Sequence, residues 1–382
     1  MGKTTVAVDG DAWLINGEPT YPGRTYRGWK VEGLLLNSRM VQATFDDENP
    51  VTRPLWAYPD TGVWDAERNT DECVAAMPSW VAHGLTGITV CLQGGRPMGY
   101  GGQQRDVMLQ KFGARGLTAS EAEIWKDAPF AATQPWINTA FTPQGELKPA
   151  YLARLGRVLD AADANGLVVI VSLFYQGQDE RMQDEAAIRR GVENVCAWVL
   201  DRGDTNVVIE INNECNTSHY EQEVLKPGRV QELIAQARGV TRNGRRLLCG
   251  TSYAGMRAPD DEVCAVSDLL TMHGNGAREP GMLAELIAQA RSLPSYRPMP
   301  VLFNEDFHFS FDQPRNNFLT AVEHYAGWGY YDPGRTTDGH EVTDRYAFGD
   351  YVDGFQMVPV NWTINTERKR AFFGLLKDVT GA

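Results

Sequence analysis

The chain has 382 residues, 43% hydrophobic and 22% charged, enough to bury the core of a large single barrel. A formal net charge of −13 and a pI near 5.0 exclude the broad basic face that a nucleic-acid binder displays, and favour a neutral or cationic ligand. Six scattered cysteines with no C-x-x-C pair and no metal-ligand spacing read as mostly buried thiols, and no apolar run approaches the ~20 residues of a membrane span.

In chain order, Val6-Ala7-Val8-Asp9-Gly10 and Trp13-Leu14-Ile15-Asn16-Gly17-Glu18 read as a hairpin over about residues 5–20, with Asp-Gly and Asn-Gly as turn formers. Such a hairpin can plug one end of a barrel. Val31 to Asn37 reads as the first core strand, followed by a polar loop through Arg39, Asp46, Asp47, Trp56 and Trp64. A helix is expected over Asn69 to His83, with Pro78 kinking or limiting it.

Strands and helices then alternate. Thr86 to Leu92 is a strand and Lys148 to Asn165 a helix with Tyr151, Leu155, Val158, Leu159 and Ala162 on one face. Residues 93–147 form a long insertion rich in Gly, Gln and aromatics, including Tyr100, Trp125 and Trp136, and are expected to wall a substrate site. Leu167 to Phe174 is the third strand and Glu185 to Arg202 the third helix. Val207-Val208-Ile209-Glu210-Ile211 is a fourth, buried strand ending in Asn212-Asn213-Glu214, with a helix from Arg229 to Arg242.

Arg246 to Thr251 makes a fifth strand, followed by a helical turn near residues 259–265. Leu269 to Met272 makes a sixth strand ending in His273, with a helix over Gly281 to Arg291. The seventh strand, Met299 to Glu305, repeats the design of the fourth: an apolar run, then Asn304-Glu305. Asn316 to Ala326 is helical, Gly327 to Tyr331 is the eighth strand, and Thr366 to Val379 closes the chain as a helix. Eight strands alternating with helices, without repeat or linker, predict one (β/α)8 barrel domain spanning residues 1–382, with long loops at the C-terminal ends of its strands.

Active sites of that architecture lie where the strands end. The strand-end residues are Asn37 and Arg39, Gln93, Phe174 and Tyr175, Asn213 and Glu214, Tyr253, His273 and Asn275, Glu305 and Asp306, then Trp328 and Tyr331. Amides and charged groups suit sugar hydroxyls, and aromatic faces suit the apolar sides of sugar rings. Two glutamates delivered to one face meet the need of glycosidic cleavage for an acid and a second carboxylate.

Asn213-Glu214 after the fourth strand and Glu305 after the seventh resemble the pattern of the clan A glycoside hydrolases, the cellulase-like, mannanase-like and β-galactosidase-like barrels. The resemblance covers about Val31 to Tyr331. It implies a retaining β-glycosidase with Glu214 as general acid/base, Glu305 as nucleophile and Asn213 on the sugar 2-hydroxyl. It places His273 where clan members carry a histidine or tyrosine near the nucleophile, and Trp328 where many carry a platform under the sugar. Cellulase-like members often carry an arginine after the second strand. Here that strand ends Cys91-Leu92-Gln93, and the nearest candidate is Arg39.

The chemistry sets further expectations. Glu305 must be ionised to attack an anomeric carbon, so Arg39, Tyr253 or His273 should hold it. Glu214 must be protonated when substrate arrives, which calls for a pKa raised by burial or by the neighbouring charge. Arg39, Gln93, Tyr175, Asn213, His273, Asn275, Asp306 and Trp328 are the substrate-binding candidates. Glu210 faces the same side as Glu214 and reads as structural. Trp125 and Trp136 are either platforms at outer subsites or the insertion's own small core.

Two other readings stand beside this one. A metal-dependent barrel hydrolase would use Glu214, His219, His273, Glu305 and His308, though no H-x-H or H-E-x-x-H spacing appears. A carbohydrate-binding barrel without turnover would have no need of both acids. No cofactor or metal is expected, and the Gly99-Tyr100-Gly101-Gly102 run lacks the context of a nucleotide loop. The expected partner is an oligosaccharide or glycoside, not a nucleic acid or membrane, with weak preference for action at chain ends. Met1-Gly2-Lys3-Thr4-Thr5-Val6 is unlike a signal peptide, so a cytoplasmic location is expected, or a secreted one if a leader has been removed.

Overall fold

Turn chemistry sets the N-terminal segment. In the computed structural model, which describes residues 2–98, 109, 112, 113, 116–124, 134–334 and 354–382, β1 (Val6–Asp9) and β2 (Ala12–Ile15) form an antiparallel hairpin extended by β3 (Glu18–Pro19). Asn16 and Gly17 both take positive φ, as an Asn-Gly turn requires. A second small ribbon, β4 (Thr25–Tyr26) with β5 (Trp29–Lys30), follows.

The barrel strands are β6 (Leu36–Arg39), β7 (Gly87–Cys91), β8 (Val168–Phe174), β9 (Val207–Asn212), β10 (Leu248–Gly250), β11 (Ser252–Tyr253), β12 (Leu270–His273), β13 (Val301–Asp306) and β14 (Gly327–Tyr330). All pair in parallel, in the order β10-β9-β8-β7-β6-β14-β13-β12-β11. Strands β10 and β11 are two halves of one stave: the first pairs with β9 and the second with β12, completing a (β/α)8 barrel.

The first barrel strand starts later than the run of aliphatics suggests, at Leu36 instead of Val31. Gly33 turns the chain before it, with φ +87° and hydrogen bonds between its N–H and the Thr20 carbonyl and between the Trp13 N–H and its own carbonyl. A Cβ at this position would lie 2.4 Å from the Tyr325 hydroxyl. The strand consequently ends on Arg39, not before it.

Helices form where apolar residues recur every three or four positions and a cap is present. Ala66–Val81 buries Asn69, Cys73, Ala76, Met77 and Trp80 on one face, and Asp65 caps it by accepting from the Glu67 and Arg68 N–H groups at 3.0 Å. That cap starts the helix three residues earlier than the apolar pattern does, and Pro78 lies inside it. Glu185–Arg202 is capped by Asp184 and closed by Gly203 at φ 82°. Pro149–Ala164, Val230–Gly239, Asp261–Val266, Gly281–Arg291, Asn317–Glu323 and Glu367–Thr380 complete the outer ring.

Period-two alternation divides the strands between two environments. On β9, Val207, Ile209 and Ile211 join the large core beneath the helices, whereas Val208 joins Trp13, Leu35, Val168, Ile170, Leu269 and Leu302 inside the barrel. Val6, Val8 and Ile15 pack on this inner cluster, so the hairpin does plug the barrel floor. Above the floor the lining turns polar: Asn37, Thr89, Ser172, Glu210 and Asn304 are all buried. Gly329 makes room for them, since a Cβ there would meet Asn37 Oδ1 at 2.4 Å and the Asn304 carbonyl at 2.7 Å.

Candidate active site

Each site side chain reaches the mouth of the barrel by the geometry of its own strand end. Arg39 ends β6, is 1% exposed, and sends Nε to Glu305 Oε2 at 2.5 Å and Nη2 to Asn213 Oδ1. Its Nη1 faces Glu210 Oε2 at 3.9 Å. One planar guanidinium thus ties the first, fourth and seventh strands together.

Strict alternation would point Glu305 toward the helices. The register between β12 and β13 instead shifts: Met272 pairs with Phe303, but His273 pairs with Glu305. The extra residue, Asn304, turns both itself and Glu305 inward, Asn304 donating to Glu210 Oε1 at 3.0 Å. Asp306 then points outward. Glu214 is placed by a different device: it follows β9 in the left-handed region at φ 52°, unusual for a side chain with a Cβ, and its N–H donates to Ser252 Oγ at 2.9 Å.

His273 joins the two acids. Its Nδ1 lies 2.8 Å from Glu214 Oε1 and 3.6 Å from Glu305 Oε2, and the ring is fully buried. Asn275 donates to Glu305 Oε1 at 2.6 Å. Glu305 keeps 3% of its side chain in solvent and Glu214 16%, so Glu214 is the more accessible acid.

Burial opposes charge on His273, but the Glu305 carboxylate and the contact with Glu214 outweigh it and hold the imidazolium above its ordinary range. Burial likewise raises Glu214, yet the hydrogen bond and charge of His273 prevail and leave its carboxyl below the usual value. The expectation of a raised pKa on Glu214 is therefore corrected. At 2.8 Å, Nδ1 of His273 and Oε1 of Glu214 share a proton as a coupled pair, while Nε2 of the same ring is buried and meets no hydrogen-bond partner among the described residues.

The structure brings together Arg39, Asn213, Glu214, His273, Asn275 and Glu305. Tyr175 stands beside them: its ring packs on Gly94, and burial, the first of several influences that include Arg96, Glu214 and Glu305, drives its phenol well above the usual range. The other candidates are placed elsewhere. Gln93 spends its amide on Thr139 Oγ1 at 2.9 Å, the Gln178 carbonyl at 3.3 Å and the Tyr175 N–H at 3.3 Å, fastening loops to each other.

Asp306 is fully buried behind the barrel wall, accepting from Asn317 Nδ2 at 2.8 Å and Trp328 Nε1 at 3.0 Å, with His308 Nδ1 at 2.5 Å. Trp328 is not a sugar platform in this arrangement. It is 0% exposed and packs among Phe311, Phe318 and Phe372. Tyr253 points to Asp260 Oδ2 at 3.3 Å, leaving Asn275 to supply the donor expected of it. Trp136 is buried edge-on to Trp56, the core reading of the two; Tyr100 and Trp125 fall outside the described residues.

Sequence reasoning missed Asn304, which faces inward on β13 and donates to Glu210, and Arg96, whose charge acts on Glu214 and Tyr175 from the loop after β7. Of the five residues of the metal reading, only Glu214, His273 and Glu305 meet, with ligand atoms within 4.8 Å of one another. His219 is exposed, and His308 is committed to Asp306. Arg39 already places a fixed positive charge on Glu305, where a cation would have to bind. The donor set does not suit a metal.

No protein-family model matches the sequence, and none of the curated proteins matches it. Solved structures do match in shape. A GH5-4 broad-specificity endoglucanase from Bacteroides salanitronis aligns over 91% of this chain and 93% of its own at a TM-score of 0.51 and 10% identity. An endo-1,4-β-mannanase from Rhizomucor miehei covers 85% and 89% at 0.50 and 11%. An exo-β-1,4-mannosidase from Opitutaceae bacterium strain TAV5 covers 97% of this chain at 0.50 and 14%; the present chain spans 63% of that protein. At these identities the likeness is one of fold.

Proposed function

We propose that the protein is a retaining glycoside hydrolase that cleaves β-glycosidic bonds in an oligosaccharide or glycoside. The observation that carries this reading is the pair of carboxylates at the ends of the fourth and seventh strands, Glu214 and Glu305. They approach within 4.8 Å through oxygens that share His273. Such closeness suits double displacement, in which one carboxylate attacks the carbon whose leaving oxygen the other protonates, and inversion sets the two groups farther apart to admit a water.

In this reading Glu305, oriented by Arg39 and Asn275, attacks the anomeric carbon while the Glu214–His273 pair delivers its proton through Glu214 to the departing oxygen. The negative charge on Glu305 vanishes in the glycosyl ester. The carboxylate left on Glu214 then takes a proton from water, whose oxygen attacks the ester-linked carbon and regenerates both groups. Asn213, its amide fixed by Arg39, is positioned toward the sugar beside the reacting carbon. Action at a chain end is part of the proposal, in line with the long stretches of sequence after the first, second and eighth strands.

The test is a panel of aryl β-glycosides and β-1,4-linked gluco- and manno-oligosaccharides, with anomeric configuration and product length read by NMR. Glu305→Gln and Glu214→Gln should each lose at least about 10³-fold in kcat/KM on unactivated substrates, while a chelator leaves the wild type unchanged. First-formed products of inverted configuration, full activity in both variants, or loss of activity on chelation would each overturn the assignment.

A further inference from the structure

One buried carboxylate has no part in the two displacements. Glu210 projects from the middle of β9 into the barrel and is 3% exposed. Oε1 accepts from Asn304 Nδ2 at 3.0 Å, while Oε2 meets no hydrogen-bond donor among the described residues and faces Arg39 Nη1 at 3.9 Å. A glutamine could accept the Asn304 bond equally well without the cost of burying a charge. What a glutamate adds at this position is the charge itself.

Building on the glycosidase reading, we propose that Glu210 is a positioning residue whose negative charge, set across Arg39 from the nucleophile, keeps the acid proton in the Glu214–His273 pair through neutral pH.

The charge count supports this. Arg39 and a protonated His273 supply two positive charges, and Glu210, Glu214 and Glu305 supply three negative ones. Without Glu210 the four remaining groups would balance, and loss of the His273 proton would leave one net negative charge. With Glu210 the same loss leaves two, in a site nearly closed to water, so the proton is given up less readily.

The other titratable groups facing the cluster do not cancel this. Burial pushes the Cys91 thiol on β7 up to about 12 and drives the Tyr175 phenol higher still, so both remain neutral. Arg96, on the loop after β7, acts on Glu214 from a partly exposed position where solvent screens it. Glu210 also holds Asn304, the residue whose insertion turns Glu305 inward, so charge and bulge are joined in one side chain.

The experiment is a ¹⁵N NMR titration of the histidine side chains in the full chain, which has six histidines, with His273 assigned by substitution. Glu210→Gln should lower the His273 midpoint by roughly one pH unit, the effect of one unit charge at several ångströms in a medium of intermediate polarity. Glu210→Asp, which keeps the charge but draws it back, should give a smaller fall of the same sign. It also stands in should Glu210→Gln fold poorly.

With an active substrate, the alkaline limb of kcat/KM should move down with the imidazole, while KM stays within about twofold. A His273 midpoint within 0.2 unit of the wild type in the folded variants, or a shift upward, would overturn the inference. The titration needs no substrate. A protein that hydrolyses nothing would defeat the glycosidase reading without touching this result.

Discussion

Replacing Arg39 gives the strongest test of how the site is held. In Arg39→Met the side chain keeps most of its length, but Glu305 and Glu210, each 3% exposed, lose the cation between them. Breaking a buried pair by removing one partner costs about 3–5 kcal/mol. An unfolding entropy of roughly 2.1 cal/mol/K per residue gives about 0.8 kcal/mol/K for the whole chain, so Tm should fall by about 4–6 °C at pH 7. At pH 4 the gap should narrow, because protonation removes the uncompensated charges. Arg39→Lys retains the charge but cannot present Nε to Glu305 and Nη2 to Asn213 from one plane. It should keep most of the stability yet lose about 10²-fold in kcat/KM, or about 2.7 kcal/mol of transition-state stabilisation. Calorimetry at the two pH values and steady-state kinetics on the best aryl glycoside measure both effects. An Arg39→Met protein melting within 1 °C of the wild type at pH 7, or an Arg39→Lys enzyme of full activity, would refute the reasoning.

Two further substitutions separate structural from chemical roles. Trp328→Phe removes a hydrogen bond to the buried Asp306 carboxylate and should cost about 1.5–3 kcal/mol, lowering Tm by about 2–4 °C with KM unchanged; a tenfold rise in KM would restore the sugar-platform role. His273→Gln should widen and then close its Tm gap with pH. The raised imidazole contributes stability that is full below its unfolded pKa of about 6.5 and lost as pH rises through the higher folded value. The depressed Glu214 contributes stability present above its unfolded pKa and lost as pH falls through the lower folded value. The gap should therefore be largest near pH 5–6 and smaller at pH 3 and pH 9, and a gap that grows from pH 6 to pH 9 would contradict the ion pair.

The barrel was legible because its strands and helices announce themselves by period. Val207 to Ile209 is a β-branched run fit for burial on both faces, and Glu185 to Arg202 is flanked by a capping Asp184 and a terminating Gly203. Glu214, His273 and Glu305 were legible as polar residues ending apolar strands. Trp328 pairs with Phe303 ahead of the bulge and faces the helices with it, and Asp306 was misread because side-chain direction depends on register, which a sequence does not display. A single extra residue on β13 exchanges the inward and outward faces, sending Glu305 in and Asp306 out to Asn317. Gln93 was misread for another reason: a buried amide at a strand end can equally serve the backbone of adjacent loops.

The same shift explains why the polar layer beneath the site is there at all. An ordinary seventh strand would turn only Asn304 or only Glu305 inward. The bulge admits both, so Glu305 acquires an adjacent amide that reaches Glu210 on the fourth strand, while Arg39 reaches both acids from the first. Three strands far apart in the chain are thereby cross-linked by groups that also set the charge around Glu214 and His273. Glu210, Asn304 and Arg39 cannot be changed for stability alone, because each alteration also moves the potential at Glu214 and His273. On this view the polar interior above the hydrophobic plug is the electrostatic foundation of the site, and the apolar floor beneath it carries the fold.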